Sequence, residues 1–334
     1  MTLLWSVIVA IGLVASPAKG QEIPTVFEAG HFFVMLETTS GQPLKLLVDT
    51  GGGGVGNLYL LNLRAVSRLR LRLPSARCAF GSDAISTVEL PIYKQGRGVP
   101  QPLGACAGAV AFEDAHPISF SDGLLGSNYL NGHIWTFDYP AKKLLLQRGE
   151  WLPTESLHAG ALGFQQDAGG RRIKAFPRIV IRVDGQPLDM LLDTGATAMP
   201  SDTGAHVTGT STVNGVGVTS YITTSQLERW HASHPEWHVL ENGDKLFSGS
   251  APRMIEVPSV ELAGWLVGPL WFTERADANF HDMMGSMMDK PPEGAVGGNL
   301  LQHFVMTIDY PKGVAYFDCA QGCQAARSAA TEKR

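Results

Sequence analysis

The chain carries the same pattern twice. The segment GQPLKLLVDTGGG, Gly41 to Gly53, returns as GQPLDMLLDTGAT, Gly185 to Thr197, 144 positions later. A second pair, DGLLGSNYLNGHIWTFDYPAKKLLL (Asp122 to Leu146) and EGAVGGNLLQHFVMTIDYPKGVAYF (Glu293 to Phe317), matches without a gap at a shift of 171. Each half therefore runs in one order: a Gly-Gln-Pro-Leu turn, an apolar run ending in Asp-Thr-Gly, a variable middle, an apolar-apolar-Gly element and a closing Asp-Tyr-Pro hairpin. The shifts differ by 27 residues, which are extra length in the middle of the second half. Copies of this size are too long for a solenoid repeat and suit two lobes.

The apolar runs are short and bounded by Gly, Pro or Asp. HFFVMLET, PLKLLV, IWTFDY, FPRIVIRV and FVMTIDY all read as strands. Glycine (38) and proline (20) are scattered between them, as a turn-rich β fold requires. One segment reads as a helix, TSQLERWHASH from Thr224 to His234, with Thr224 or Ser225 as N-cap. The stretch Leu145 to Arg172 reads as the crossing between halves together with the first strand of the second lobe. A chain of 334 residues, 44% hydrophobic and 17% charged, has enough apolar content for two medium cores. Its formal charge of −5, with no basic stripe, excludes nucleic acid as the expected partner.

The N-terminus has an apolar run from Leu3 to Val14 followed by small residues, the pattern of a signal peptide over residues 1–20. Cleavage is expected after Ala18 or Gly20; no Lys or Arg precedes the run, so an uncleaved membrane anchor is the alternative. No later segment is long and apolar enough to span a bilayer. The expected organisation is a first lobe at 21–150, a second at 151–318 and a tail at 319–334, in a periplasmic or secreted protein. Little chain lies between the cleavage site and the first strand, so a long pro-segment is not expected. Export permits disulfides. Cys78, Cys106, Cys319 and Cys323 allow three connectivities, of which Cys78–Cys106 with Cys319–Cys323 keeps each bond within one half. No Cys-x-x-Cys occurs, so zinc is not expected.

An apolar strand ending in Asp-Thr-Gly, paired downstream with apolar-apolar-Gly, resembles the lobe of the aspartic peptidases, single in retropepsins and duplicated in pepsins. The resemblance covers residues 25 to 318. It implies a mostly β fold of two similar closed-barrel-like lobes with an active-site cleft between them. It further implies that Asp49 and Asp193 meet as the catalytic pair, within turns made by Thr50, Gly51, Thr194 and Gly195. Thr50 and Thr194 would bond across the interface, and Leu124-Leu125-Gly126 and Ala295-Val296-Gly297 would support the turns from behind. Two motifs in one chain remove any need to dimerise, so a monomer acting on a peptide or protein, without metal or cofactor, is expected. Peptide hydrolysis needs a base to activate water and an acid to protonate the carbonyl oxygen or leaving amine. Two carboxyl groups in one site supply both, because they do not readily ionise together. Pepsins commonly place Ser or Thr after Asp-Thr-Gly; this chain has Gly52 and Ala196, with Thr197 one residue on. Without those hydroxyls the pair is expected to ionise less readily and to work toward neutral pH. The run GGGGVG, Gly51 to Gly56, is looser than the family pattern. Flap candidates are Glu89 to Gly98, with Tyr93, in lobe one and Thr208 to Tyr221 in lobe two.

Other features read as structural. A third Asp-Thr-Gly at Asp202 follows Met-Pro-Ser and is expected to be a loop. His231, His234 and His238 are expected at a surface helix end, ended by Pro235, with Trp230 and Trp237 packing inward. His281 with Met283, Met284, Met287 and Met288 is a possible copper set, with packing or cleft lining as the favoured role. No Gly-x-Ser-x-Gly, His-Glu-x-x-His or phosphate-binding loop is present. The leading expectation is an exported aspartic endopeptidase. Its rivals are a catalytically inactive, peptidase-like peptide binder in the cell envelope and a periplasmic copper-binding protein.

Overall fold

The computed structural model describes residues 20–53, 58–73, 76–80, 83–102, 108–113, 121–149, 151–246 and 251–326. It is mostly β and two-lobed. The expected signal peptide lies outside the described residues. So does the Cys78–Cys106 pairing, because Cys106 and the Cys78 side chain are not among them.

Both lobes are built around the same four strands. In lobe one, Pro43–Asp49 lies between its antiparallel hairpin partner His31–Glu37 and the parallel strand Gly123–Gly126, which in turn pairs with Leu60–Asn62. In lobe two, Gln186–Leu192 lies between Arg178–Val183 and Gly294–Val296, which pairs with Ser220–Thr223. A strand flanked on both sides and covered on both faces needs a continuous apolar run. The sequences LLV and MLL directly before each Asp meet that requirement. Arg178–Val183, by contrast, alternates buried and open positions. Lobe one's sheet has eight strands and lobe two's has ten. Both are open: the outermost described strands of lobe one, Thr25–Glu28 and Ala76–Phe80, do not pair with each other. The expected barrel closure is thus absent among the described residues, although the two-lobed β architecture is as expected.

A six-stranded sheet joins the lobes, in the order Gln21–Ile23, Lys143–Gln147, Ile134–Asp138, Phe304–Asp309, Val314–Cys319, His158–Ala161. It has a two-fold centre. Thr136 faces Thr307 in the central antiparallel pair, and their hydroxyls are 2.8 Å apart. These residues are 171 positions apart, the shift of the second repeat. Trp135, Phe137, Phe304 and Phe317 are fully buried around this sheet. The strand His158–Ala161, in the stretch expected to hold the crossing and the first strand of the second lobe, lies at the edge of this sheet beside Val314–Cys319. The tail contributes an edge strand, Cys323–Ala325, to the lobe-two sheet, and a Cys319–Cys323 disulfide sits at its start.

Strand pairing locates the extra 27 residues of the second half. Leu60 pairs with Leu124 as Tyr221 pairs with Ala295, so Leu60 and Tyr221 correspond at a shift of 161. Seventeen of the extra residues therefore follow the lobe-two Asp-Thr-Gly directly, and ten come later. The segment lengthened by the first block holds the paired strands Thr197–Ala198 and Gly217–Val218 and the helix Asp202–Thr208. The third Asp-Thr-Gly is accordingly a helix start and not a loop; the Ser201 side chain accepts from Gly204 N and caps it. The second helix runs Thr224–Ser233 with Thr223 as its cap, one residue earlier than expected, because the Thr223 hydroxyl accepts from Gln226 N. No helix among the described residues is long and apolar enough to cross a membrane.

Candidate active site

The two Asp-Thr-Gly turns meet at the lobe interface. Each threonine hydroxyl makes two bonds across it. Thr50 Oγ1 donates to Leu192 O at 2.5 Å and accepts from Thr194 N at 3.0 Å. Thr194 Oγ1 donates to Val48 O at 2.8 Å and accepts from Thr50 N at 3.1 Å. Both threonines are buried, so all four main-chain partners rely on these hydroxyls. Within each turn the glycine N–H donates to its own aspartate: Gly51 N to Asp49 Oδ1 at 2.8 Å, and Gly195 N to Asp193 Oδ1 at 2.9 Å.

The glycines explain how close the carboxylates stand. A Cβ at Gly51 would lie 2.3 Å from Asp193 Cγ, and one at Gly195 would lie 2.2 Å from Asp49 Cγ. Each aspartate thus faces the opposite lobe's turn, with no room for any side chain between. Asp49 and Asp193 are hydrogen-bonded to each other. Burial pushes the Asp193 carboxyl well above the usual carboxylate range. The charge of Asp49 and the bond to it push the same way, against the main-chain N–H groups of Gly195 and Ala196. The pair therefore holds a proton where an isolated carboxylate would not, and it titrates as a unit.

The apolar-apolar-Gly elements lie behind the turns. A Cβ at Gly126 would meet Gly52 O at 2.5 Å, and one at Gly297 would meet Thr219 O at 1.9 Å and Ala196 Cβ at 2.7 Å. Leu125, Ala295 and Val296 are fully buried, and Leu124 packs on Phe33 and Leu47. From below come the tyrosines of the two Asp-Tyr-Pro hairpins. Burial, then the charge of Asp193, raises the Tyr139 phenol; burial raises Tyr310, with Arg172 opposing and the charge of Asp49 adding to it. Each of these tyrosines thus senses the other lobe's carboxylate.

No hydroxyl follows either Asp-Thr-Gly onto the carboxylates. A Cβ at Gly52 would lie 2.3 Å from Asp49 Oδ2, and Thr197 Oγ1 donates instead to Gly195 O at 2.7 Å. Three neighbours carried no sequence signal. Tyr221 OH accepts from Thr197 N at 2.8 Å and donates to Thr197 O, and the Arg275 guanidinium lies 4.3 Å over its ring. Burial, against Arg275, pushes the Tyr221 phenol up to about 12. His31, from lobe one, is fully buried with Nε2 3.2 Å from Thr197 Oγ1. Burial lowers its imidazole to about 4, against main-chain groups of Gly195, Ala29 and Ala196. A lone His in HFFVMLET looks like any core histidine, and Thr197, which it touches, aligns with Gly53, so the repeat gives no sign of the contact.

Tyr93 is not brought to the pair. Its main chain bridges to Thr38 and its hydroxyl is 2.9 Å from that of Tyr59, inside lobe one. Thr38 lies beyond the far end of Pro43–Asp49, and at about 3.3 Å per residue that strand alone spans about 20 Å. A flap role for Tyr93 is therefore corrected: it lines a 730 Å³ cavity with His133, Gln147 and Arg148, against the edge of the six-stranded sheet. The lobe-two candidate, Thr208 to Tyr221, contributes Val218 to the interlobe contact, where a Cβ at Gly30 of lobe one would meet it at 2.6 Å. In the methionine segment, Met284 and Met288 are buried against Phe176, Leu191 and Ala295, and Met283 is exposed. His281 Nε2 lies 3.3 Å from Glu293. His234 stacks on Trp237 at 4.1 Å, while Trp230 is buried against Phe272.

No protein-family model matches the chain, and no curated protein matches it. Among solved structures it is similar to the aspartic proteinase from Irpex lacteus, at 11% identity and a TM-score of 0.44, over 91% of this chain and 98% of that one. That is a loose likeness of overall arrangement. The chemistry of the site is read from the carboxylates and their partners alone.

Proposed function

We propose that the protein is an aspartic endopeptidase whose single active site takes Asp49 from one lobe and Asp193 from the other. One observation carries this reading. Two carboxyl groups from the two repeats, Asp193 buried and Asp49 half-buried, are hydrogen-bonded to each other, held by reciprocal threonine bonds, with only glycine between each and the opposite turn. A structural pair of like charges would be unfavourable without a use for the shared proton.

In this mechanism Asp193, the carboxyl raised by burial, carries the proton and Asp49 is the base. A water held between them loses a proton to Asp49 as its oxygen adds to the peptide carbonyl carbon, while Asp193 protonates the carbonyl oxygen. The tetrahedral intermediate then collapses: the C–N bond breaks, its electrons go to nitrogen, and Asp49 returns the proton there. Asp193 regains its own proton from the intermediate's hydroxyl. Neither step calls for a metal or organic cofactor. Because Asp193 must be protonated and its carboxyl is raised, activity persists above the usual carboxylate range and is lost as pH rises through the raised value. The apolar run Leu3 to Val14 supports action after export, in the periplasm or outside the cell.

Cleavage of an unbiased peptide library by the folded protein, from strongly acid to neutral pH, tests the reading. Turnover extending toward neutral pH is expected. Absence of turnover at every pH from a demonstrably folded protein would overturn it and leave the cleft as a peptide-binding site.

A further inference from the structure

We propose that His31 is a positioning residue: a lobe-one side chain that fixes the lobe-two active-site turn and, through it, the carboxyl of Asp193. The proposal rests on the peptidase reading for its effect on catalysis, and on hydrogen-bond geometry alone for its effect on the turn.

The hairpin that delivers His31 is built for a close approach. Thr25–Glu28 and His31–Glu37 pair with Glu28 opposite His31, joined by Ala29 and Gly30 at φ of 49° and 83°. Positive φ at both central residues is the tight turn whose twist matches a hairpin. Its tip presses on the lengthened segment of lobe two. Val218 fills the space where a Gly30 side chain would be, and a Cβ at Gly298 would also meet Val218, at 2.8 Å. Val218 is thus wedged between the lobes, and His31 enters beside it.

Proton counting assigns the bond. The single hydroxyl proton of Thr197 is committed to Gly195 O at 2.7 Å, so the 3.2 Å contact with His31 is made by Nε2–H donating to Thr197 Oγ1. His31 is therefore the Nε2–H tautomer, and its buried Nδ1 has no partner among the described residues. Thr197 is a hub: its main-chain N–H and C=O are both held by the Tyr221 hydroxyl, and its side chain ties His31 to the Gly195 carbonyl. Gly195 N–H in turn donates to Asp193 Oδ1. The path His31, Thr197, Gly195, Asp193 runs from one lobe's hairpin to the other lobe's carboxyl in three hydrogen bonds.

Lobe one has no counterpart. By strand register, in which Phe33 faces Leu47 as Arg178 faces Leu191, His31 corresponds to Phe176, and at the repeat shift of 144 Thr197 corresponds to Gly53. The threonine bonds hold both turns alike; the His31 strut holds only one. It restrains the half of the pair that the mechanism asks to carry the proton.

The test uses the full chain with His31→Phe, which fills the space without a donor, and His31→Gln, which restores an N–H. Two readouts are made: amide exchange at Gly195 and Thr197, and kcat and KM on a cleaved peptide. The proposal expects His31→Phe to speed exchange at both amides and lower kcat by about tenfold, the equivalent of one hydrogen bond, with KM within about twofold. His31→Gln should recover most of both. Unchanged exchange in His31→Phe overturns the proposal whether or not the protein is a peptidase. Equal losses in both variants, with Thr50 and Thr194 amides loosened alike, overturn it in favour of packing alone. If the wild type cleaves nothing, the peptidase reading fails, and exchange still decides the strut.

Discussion

The two lobes present the same four strands to the interface and diverge immediately after Asp-Thr-Gly. After Asp49 the chain returns to the sheet at Leu60 through a glycine-rich stretch; after Asp193 it first makes the Thr197–Ala198 strand, a helix and Gly217–Val218. The common part makes a near-symmetric cradle, in which each glycine faces the other lobe's carboxylate. The added part and the residues beside it break the symmetry: the lobe-two turn alone is tied to Thr197, Tyr221 and the borrowed His31. Duplication alone would give two equivalent acids; the differences after Asp-Thr-Gly make their surroundings unequal.

The symmetric element is the sharpest place to attack the comparison. Thr50→Val or Thr194→Val removes a donor to one buried carbonyl and an acceptor for one buried N–H. At about 1–3 kcal/mol for each orphaned group, either variant should lose about 2–6 kcal/mol of unfolding free energy in urea titrations. The two losses should agree within about 1 kcal/mol, and a large difference would mean that the lobes are not joined reciprocally.

The asymmetric element should show itself in pH dependence. His31 is lowered from 6.5 to about 4, so between those values the unfolded chain binds the extra proton and stability falls on acidification. The shift corresponds to about 3 kcal/mol lost across that window. Glu28, opposite in the hairpin, is paired with Lys45 at 2.6 Å, and Asp193 lies beyond Gly195. Asp193, raised, contributes the opposite slope, so the difference between wild type and His31→Phe isolates the imidazole. That difference curve should be steepest between pH 4 and 6.5; a flat one would show that the ring titrates freely.

Glycines separate contact from conformation. Gly30 and Gly41 share positive φ, 83° and 81°, but a Cβ at Gly30 would strike Val218, while one at Gly41 would have nothing within 4 Å. Gly41→Ala, and Gly185→Ala at its repeat twin, should each cost about 1–2 kcal/mol of backbone strain. Gly30→Ala should cost about 1–3 kcal/mol more from overlap, read as a lower melting temperature. The smallest effect is expected at the two-fold centre of the joining sheet. Thr307→Val should cost about 1 kcal/mol, and Thr136→Val somewhat more, since Thr136 also accepts from Gln147 Nε2 at 2.7 Å.

The parts of the site that occur twice were legible in the sequence. Asp49, Asp193, the threonines and the apolar-apolar-Gly elements announced themselves by recurring at fixed shifts, and the structure brings them together. The helix Thr224–Ser233 was legible to within one residue of its cap. Features present once were not. Tyr93 offered an aromatic in a plausible place, but its hydroxyl goes to Tyr59 within lobe one, because an isolated tyrosine suits a wall as well as a flap. The partner of His158–Ala161, Val314–Cys319, was not legible either, since strand pattern does not name a partner. His31 meets Thr197 across 166 positions, where the repeat sets only Gly53 against Thr197, and neither periodicity nor motif reports such a contact.

The most direct test of the shared site is a cycle of Asp49→Asn, Asp193→Asn and the double variant, with kcat/KM measured on one cleaved peptide and folding checked for each. If one carboxyl from each lobe forms a single unit, either single variant should fall to the level of the double, because groups that act together are not additive. A single variant that kept near wild-type turnover, or single losses that multiplied to give the double, would contradict the account.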